Sequence, residues 1–228
     1  MRTVLITGAN RGIGLAHARL YVERGALVYA AVRAPHEADD LSALAAAHPG
    51  QVVRLAYDAR DPLSPAAVKR ALGDAPIDLL FNNAGVGDRA GFGDVQAGDF
   101  LNVMAINALA PLLLAQALID NVAASKRRLI ANQSSQLGSI SEASGGAFAY
   151  RASKAALNMI TKSLAQDLAA RDVTVVCLHP GWVRTRMGGP NAPVEVEASA
   201  AGQQKVLDGL GLEDSGSFFN FDGKRIPW

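Results

Sequence analysis

Short runs of apolar residues alternate along the chain with longer stretches whose apolar positions recur at helical spacing. The runs at 3–7 (TVLIT), 27–32 (LVYAAV), 52–57 (VVRLAY), 77–82 (IDLLFN), 128–134 and 173–178 (VTVVCL) predict strands, with a last short one at 217–221 (SFFNF). The stretches at 13–24, 37–47, 65–72, 98–124 and 148–170 predict helices. The strand runs are continuously apolar rather than alternating, as expected where helices cover both faces of a parallel sheet. Strand–helix repetition of this kind argues an α/β, doubly wound sheet, with right-handed crossovers placing helices on its two faces. The Gly/Pro-rich segments at 85–93 and 187–193 read as loops at the strand C-terminal ends, the edge where open α/β sheets bind ligands.

Composition narrows the picture. The chain has 228 residues, half of them hydrophobic, enough to bury a sizeable core and to exclude disorder. No linker divides it, so we expect a single domain over 1–228, with 186–210 left as a short substrate-covering segment. Lys and Arg number 22 against 21 Asp and Glu, a net charge of +1 that offers no footprint for nucleic acid or an anionic membrane. Cys177 is the one cysteine, which excludes a disulfide framework and makes a reducing cytoplasm the expected compartment. No metal-ligand spacing of His, Asp or Glu occurs, so no metal is expected. The opening TVLIT run is too short for the apolar core of a signal peptide. Phe100 to Ile119 is 20 residues without a charge, long enough to span a bilayer, but Asn102, Asn107, Pro111 and Gln116 interrupt it. It reads as a buried helix of a soluble protein.

Thr7-Gly8-Ala9-Asn10-Arg11-Gly12-Ile13-Gly14 ends the first strand and opens the first helix. Gly8 permits a tight turn, Gly12 lets the backbone approach a pyrophosphate, and Gly14 lets the helix pack closely. The helix N-terminus adds N–H donors for phosphate. The spacing is GxxxGxG, without the Gly-Lys-Ser/Thr of a triphosphate loop, so a dinucleotide is expected. An acid after the second strand would hold the ribose 2′-OH of NAD(H). Val32-Arg33-Ala34 stands there instead, and Arg33, helped by Arg11, suits a 2′-phosphate, which favours NADP(H) over NAD(H).

Tyr150 and Lys154 are four apart on one predicted helix, so both can point into one cleft. An ammonium nearby would lower the phenol's pKa and make Tyr150 a usable acid/base. The motif is common by chance and gains weight from its company. The glycine loop, Asn82-Asn83-Ala84-Gly85, Asn107, Ser135, Tyr150-x-x-x-Lys154 and Pro180-Gly181 follow in the order of the short-chain dehydrogenase/reductase family, which the chain resembles over essentially its whole length. Within it, AYRASKAALNMITKSLAQDL, LHPGWVRTRMGGPNAP and FDGKRIPW are similar to the C-factor branch, with sniffer-type carbonyl reductases as looser relatives.

The resemblance implies a Rossmann-type fold and roles for named residues. Tyr150 would exchange a proton with a carbonyl or alcohol. Lys154 would lower its pKa and hold the nicotinamide ribose. Ser135 would bond the carbonyl oxygen, and Asn107 would support a water chain to Lys154. Ser134 and Ser139 compete for the serine role, but the family pattern of a serine before x-x-Gly matches Ser135-Gln136-Leu137-Gly138. Gly8, Asn10, Arg11, Gly12, Ile13, Gly14 and Arg33 would bind the cofactor's phosphates. Asn83, Ala84 and Gly85 would line its adenosine side, and Asp58 would meet the adenine. Pro180, Gly181, Val183 and Thr185 would hold the nicotinamide end. A small carbonyl or alcohol substrate and a homodimer or homotetramer are further implications. His179 and Cys177 read as packed residues, and Trp182 and Met187 as either pocket wall or core. The likeness to C-factor also motivates a rival reading, a signalling protein that keeps the fold and cofactor. An epimerase or dehydratase would need a longer chain.

Overall fold

A computed structural model describes residues 1–228. Seven parallel strands form one sheet: β1 (Thr3–Thr7), β2 (Leu27–Val32), β3 (Val52–Ala56), β4 (Leu79–Asn82), β5 (Leu129–Gln133), β6 (Thr174–His179) and β7 (Phe218–Asn220). Their order is β3-β2-β1-β4-β5-β6-β7, the doubly wound arrangement expected. The order reverses between β1 and β4, opening a crevice at their C-terminal ends.

The helices are α1 (Gly12–Glu23), α2 (Asp39–Ala47), α3 (Ser64–Leu72), α4 (Ala97–Met104), α5 (Ala110–Ala123), α6 (Phe148–Asp167) and α7 (Val196–Gly209). Alternate residues of each strand feed two cores. Val4, Ile6, Val28, Phe81 and Leu178 pack with Leu15 and Tyr21 of α1, Leu41 of α2 and Leu207 of α7. Leu5, Leu80, Ile130 and Val175 pack on the other face with Val68 of α3 and Leu114, Leu118 and Val122 of α5. Two buried faces explain the unbroken apolar runs.

The structure refines three expectations. The predicted helix 98–124 is α4 and α5 joined by a π-helical turn, Ala105–Leu109, at its uncharged centre. The combined Ala97–Ala123 stretch is long and apolar enough to cross a membrane, and half of its most apolar window is buried here. Second, 148–170 ends its α-helix at Asp167, with a 3-10 turn at Ala169–Arg171. Third, 186–210 is not one substrate-covering segment. Residues 196–209 are α7, packed against α1 beneath the sheet. The buried face of α7 carries Ser199, Gln203 and Gln204, all 0% exposed, and these polar residues hide its helical pattern from a hydrophobicity reading.

Candidate active site

The crevice is built on glycines that cannot be replaced cheaply. Gly8 and Gly12 hold φ of +68° and +51°, a region that disfavours side chains. A Cβ on Gly14 would overlap the Gly8 carbonyl oxygen and stand 2.6 Å from Asn83 Nδ2, so α1 lies against the loop as close packing requires. Asn83 stitches the two halves of the sheet together at this point. Its Nδ2 donates to Thr7 O (2.9 Å), while its backbone N–H and that of Ala84 donate to Thr7 Oγ1 (3.0 and 2.9 Å). Thr7 thus has a positioning role that the glycine pattern alone did not reveal. Asn10 and Arg11 stand exposed at the rim, Ile13 is half-buried, and Arg11 precedes α1 without side-chain capping.

The second strand delivers Arg33 to the same edge, exposed, with no acid beside it in sequence until Glu37. Neither Arg11 nor Arg33 forms an ion pair with a carboxylate. Burial, then the like charges of Arg186 and Arg33, lower the pKa of Arg11. Asp58 follows β3, but its carboxylate is held by Arg60 at 2.7 Å, which keeps it below the usual carboxylate range.

The catalytic candidates meet at the foot of the crevice. Lys154 is 4% exposed and its Nζ donates to Gln133 O at 2.7 Å. Burial lowers its pKa to about 8. The Lys154 ammonium lies 5.7 Å from the Tyr150 ring centre. Tyr150 does not have the lowered pKa expected from sequence. Burial raises it, and the Ser135 hydroxyl acts in the opposite direction. The physical reason is that desolvating a phenolate outweighs a lysine that is itself desolvated and committed to a backbone carbonyl.

Position separates the three serines. Ser134 Oγ donates to Asn158 Oδ1 (2.6 Å) inside the protein, and Ser139 is 2% exposed. Ser135, next to Tyr150, begins a 3-10 turn and accepts from Leu137 N (3.2 Å). Gly138 ends that turn because a Cβ there would stand 2.7 Å from the Lys154 backbone carbon. The SISEASGGAF loop follows, and leads into α6 through Ala147 at φ +49°.

Asn107 sits in the π-helical turn, a feature that recurs at functional sites. Its side chain is fully occupied. Nδ2 donates to Val86 O (2.9 Å) and Ser153 Oγ (3.0 Å), and Oδ1 accepts from Val86 N (2.9 Å). It clamps the loop after β4 rather than contacting Lys154 directly. Gly85 lies over the pair: a Cβ there would be 3.1 Å from Asn107 Oδ1 and 3.6 Å from Lys154 Nζ.

After β6, Pro180 O accepts from Ser199 Oγ of α7 (2.6 Å), and Gly181 turns at φ +83° against Phe221. Val183 is 4% exposed, and Thr185 accepts from Gly188 N (3.1 Å). Ser199 is another positioning residue that sequence did not flag. Burial holds His179 near pKa 4 and pushes Cys177 up to about 12, with Cys177 Sγ donating to Thr161 Oγ1. Both are packed residues. Trp182 and Met187 are exposed rather than in the core, and Met187 lies against Gly87.

A glycine loop at a strand-order reversal, with a Tyr–Lys pair below it, defines a dinucleotide-dependent oxidoreductase scaffold. The family model for short chain dehydrogenase matches residues 2–195, and the chain belongs to that family. It is 44% identical over 155 residues to C-signal of Myxococcus xanthus, covering 67% of this chain and 93% of that relative. Among solved structures it is similar to the NADPH-bound carbonyl reductase from chicken fatty liver, with 36% identity, a TM-score of 0.93, and coverage of 100% of this chain and 99% of the other. The carbonyl reductase Sniffer of D. melanogaster is 34% identical with a TM-score of 0.92, both chains being covered in full.

Proposed function

We propose that the chain is an NADP(H)-dependent carbonyl reductase that interconverts a ketone or aldehyde with an alcohol, with Tyr150 as the acid/base. The observation that carries this reading is the placement of Tyr150, Ser135 and Lys154 around one crevice beneath unpaired Arg11 and Arg33. The site suits the cofactor. The glycine loop leaves room for phosphates, and the two arginines lack internal anions. When bound, NADP(H) supplies or accepts the hydride at its nicotinamide ring.

The chain's own residues divide the remaining work. Tyr150, a phenol and so protonated at neutral pH, is pushed further the same way by burial, and it is ready to donate to a carbonyl oxygen. Ser135 orients that oxygen and steadies the phenolate left behind. Lys154, with its Nζ anchored on Gln133 O, has two further N–H donors for a ribose hydroxyl and for a water that returns the proton. Asn107 keeps the floor of the crevice in register by clamping Val86 and Ser153.

Exposed apolar side chains stand on the segments that follow β4, β5 and β6 and at the start of α6: Phe92 (95% exposed), Ile140, Trp182 and Met187, and Phe148. Phe92 meets Phe148 edge to face at 6.5 Å. This apolar set supports an apolar carbonyl substrate. Exposed Leu109 and Met159, on neighbouring helical segments, support self-association there, and light scattering of Met159→Arg against the parent protein tests that point. A signalling role without turnover draws on the likeness to C-signal. NADPH oxidation across a panel of apolar aldehydes and ketones separates the two: steady turnover supports the reductase, and tight NADPH binding with no turnover supports the other.

A further inference from the structure

The loop after β6 does more than join two elements. At one end, the Thr185 methyl lies 3.6 Å from where a Gly12 Cβ would stand. At the other, Met187 packs over Gly87, its Cγ 3.3 Å from the Cβ position there. Arg89 Nη2 donates to Met187 O at 3.0 Å. Residues 185–188 therefore bridge the glycine loop and the loop after β4, across the crevice where the strand order reverses. Internal bonds set the shape of the bridge. Gly188 N donates to Thr185 Oγ1 (3.1 Å) and Trp182 Nε1 donates to Gly188 O (2.8 Å). Gly188 itself must lack a side chain, since a Cβ would overlap Val183 O.

Arg186 stands in the middle of this bridge. Its neighbour Arg184 is tied to Glu195 at 2.6 Å, but Arg186 is exposed and pairs with no carboxylate. Arg186 and Arg33 both act electrostatically on Arg11. Three guanidinium groups thus gather at one edge, and the nearby carboxylate of Asp58 is occupied by Arg60. Like charges held together without an internal anion are stabilised by an external one, and guanidinium suits phosphate oxygens.

We propose that residues 185–188 form a roof over the phosphates of the bound dinucleotide, with Arg186 as a phosphate-binding residue and Arg89 as the latch that holds the roof down. Arg11 and Arg33 approach the phosphates from the glycine loop and from β2, and Arg186 approaches from the opposite side. The inference rests on the NADP(H) reading above and assigns a residue to that site from outside the glycine loop.

Titration calorimetry with NADPH and with NADH tests it, using the parent protein, Arg186→Ala, Arg186→Lys and Arg89→Ala. Parent protein that fails to bind NADPH overturns the NADP(H) reading itself. If the parent binds, Arg186→Ala is expected to weaken NADPH about tenfold, with Lys restoring part of the loss. A loss confined to NADPH places Arg186 on the 2′-phosphate, and an equal loss for NADH places it on the pyrophosphate; either supports the roof. Arg89→Ala is expected to speed NADPH release in stopped-flow fluorescence. The melting temperature of the ligand-free protein stays the same for all three variants. Unchanged NADPH and NADH affinities in Arg186→Ala, alongside tight binding by the parent, overturn the roof and leave the NADP(H) reading intact.

Discussion

The crevice has two polar tiers that differ in what completes them. Asn107 and Ser153 in the lower tier are buried and bonded to each other, Asn107 also clamps Val86, and Lys154 is bonded to Gln133 O. Asn132 links Asn82 to Thr161 just beneath. The upper tier is Arg11, Arg33 and Arg186, exposed and without carboxylate partners. Most hydrogen bonds of the lower tier run within the fold, so it bears on stability as much as on the proposed chemistry, with Lys154 keeping two N–H donors free. On the reading proposed above, an anion completes the upper tier, which then serves binding. Substituting Asn107 or Lys154 below should move both folding and turnover, whereas a substitution above should move affinity and leave folding untouched.

The largest effect is expected from Lys154→Met. It removes a donor from Gln133 O and takes away the group proposed to serve both ribose and proton return. Turnover should fall roughly 10²- to 10⁴-fold, the range of a lost acid/base contribution, and rapid-mixing NADPH oxidation measures it. Next, Gly14→Ala should destabilise the fold by about 1–3 kcal/mol through overpacking against Gly8 and Asn83, read as a lower urea midpoint, with NADPH affinity lost in parallel. Asn107→Ala strips both hydrogen bonds from Val86 and one from Ser153. It should cost about 1–3 kcal/mol by the penalty for unpaired buried groups; an unchanged midpoint would show that the lower tier is not structural. Arg33→Ala should change stability by less than about 0.5 kcal/mol, as surface changes usually do. It should still shift the NADPH-to-NADH preference in kcat/KM about tenfold, the discrimination one charged phosphate contact carries.

The effect that is smallest at neutral pH lies in the core behind the crevice. His17 is wholly buried between Tyr21 and Phe81, and burial lowers its pKa from 6.5 to about 3. Between those values the unfolded chain takes up a proton at this position that the folded chain refuses. Stability is therefore full above about pH 6.5 and falls as the pH drops through that window. His17→Gln should flatten the acid limb of a stability–pH curve, and curves that run parallel would remove His17 from the account.

Much of the lower tier was legible because local rules placed it. Tyr150 and Lys154 share a helix face by spacing, Gly8 and Gly14 sit where a strand must turn into a helix, and the unbroken apolar runs gave every strand within two residues of its end. What was not legible depends on contacts between distant segments. The π-helical turn at Asn107 is stabilised by Val86 and Ser153, neither of which is adjacent in sequence. α7 hides because Ser199, Gln203 and Gln204 are buried polar residues, bonded onward to Pro180 in the case of Ser199. The raised pKa of Tyr150 follows from burial, which no spacing reveals. Arg186 reads as one more loop arginine until Thr185 is seen against Gly12.

The central claim is that Tyr150 transfers the proton in an NADPH-linked carbonyl reduction. Its most direct test is kcat for Tyr150→Phe with a saturating apolar aldehyde or ketone, measured on protein whose NADPH affinity and melting temperature match the parent. The account predicts a loss of at least about a hundredfold with binding and folding intact. Full activity in that variant would contradict it.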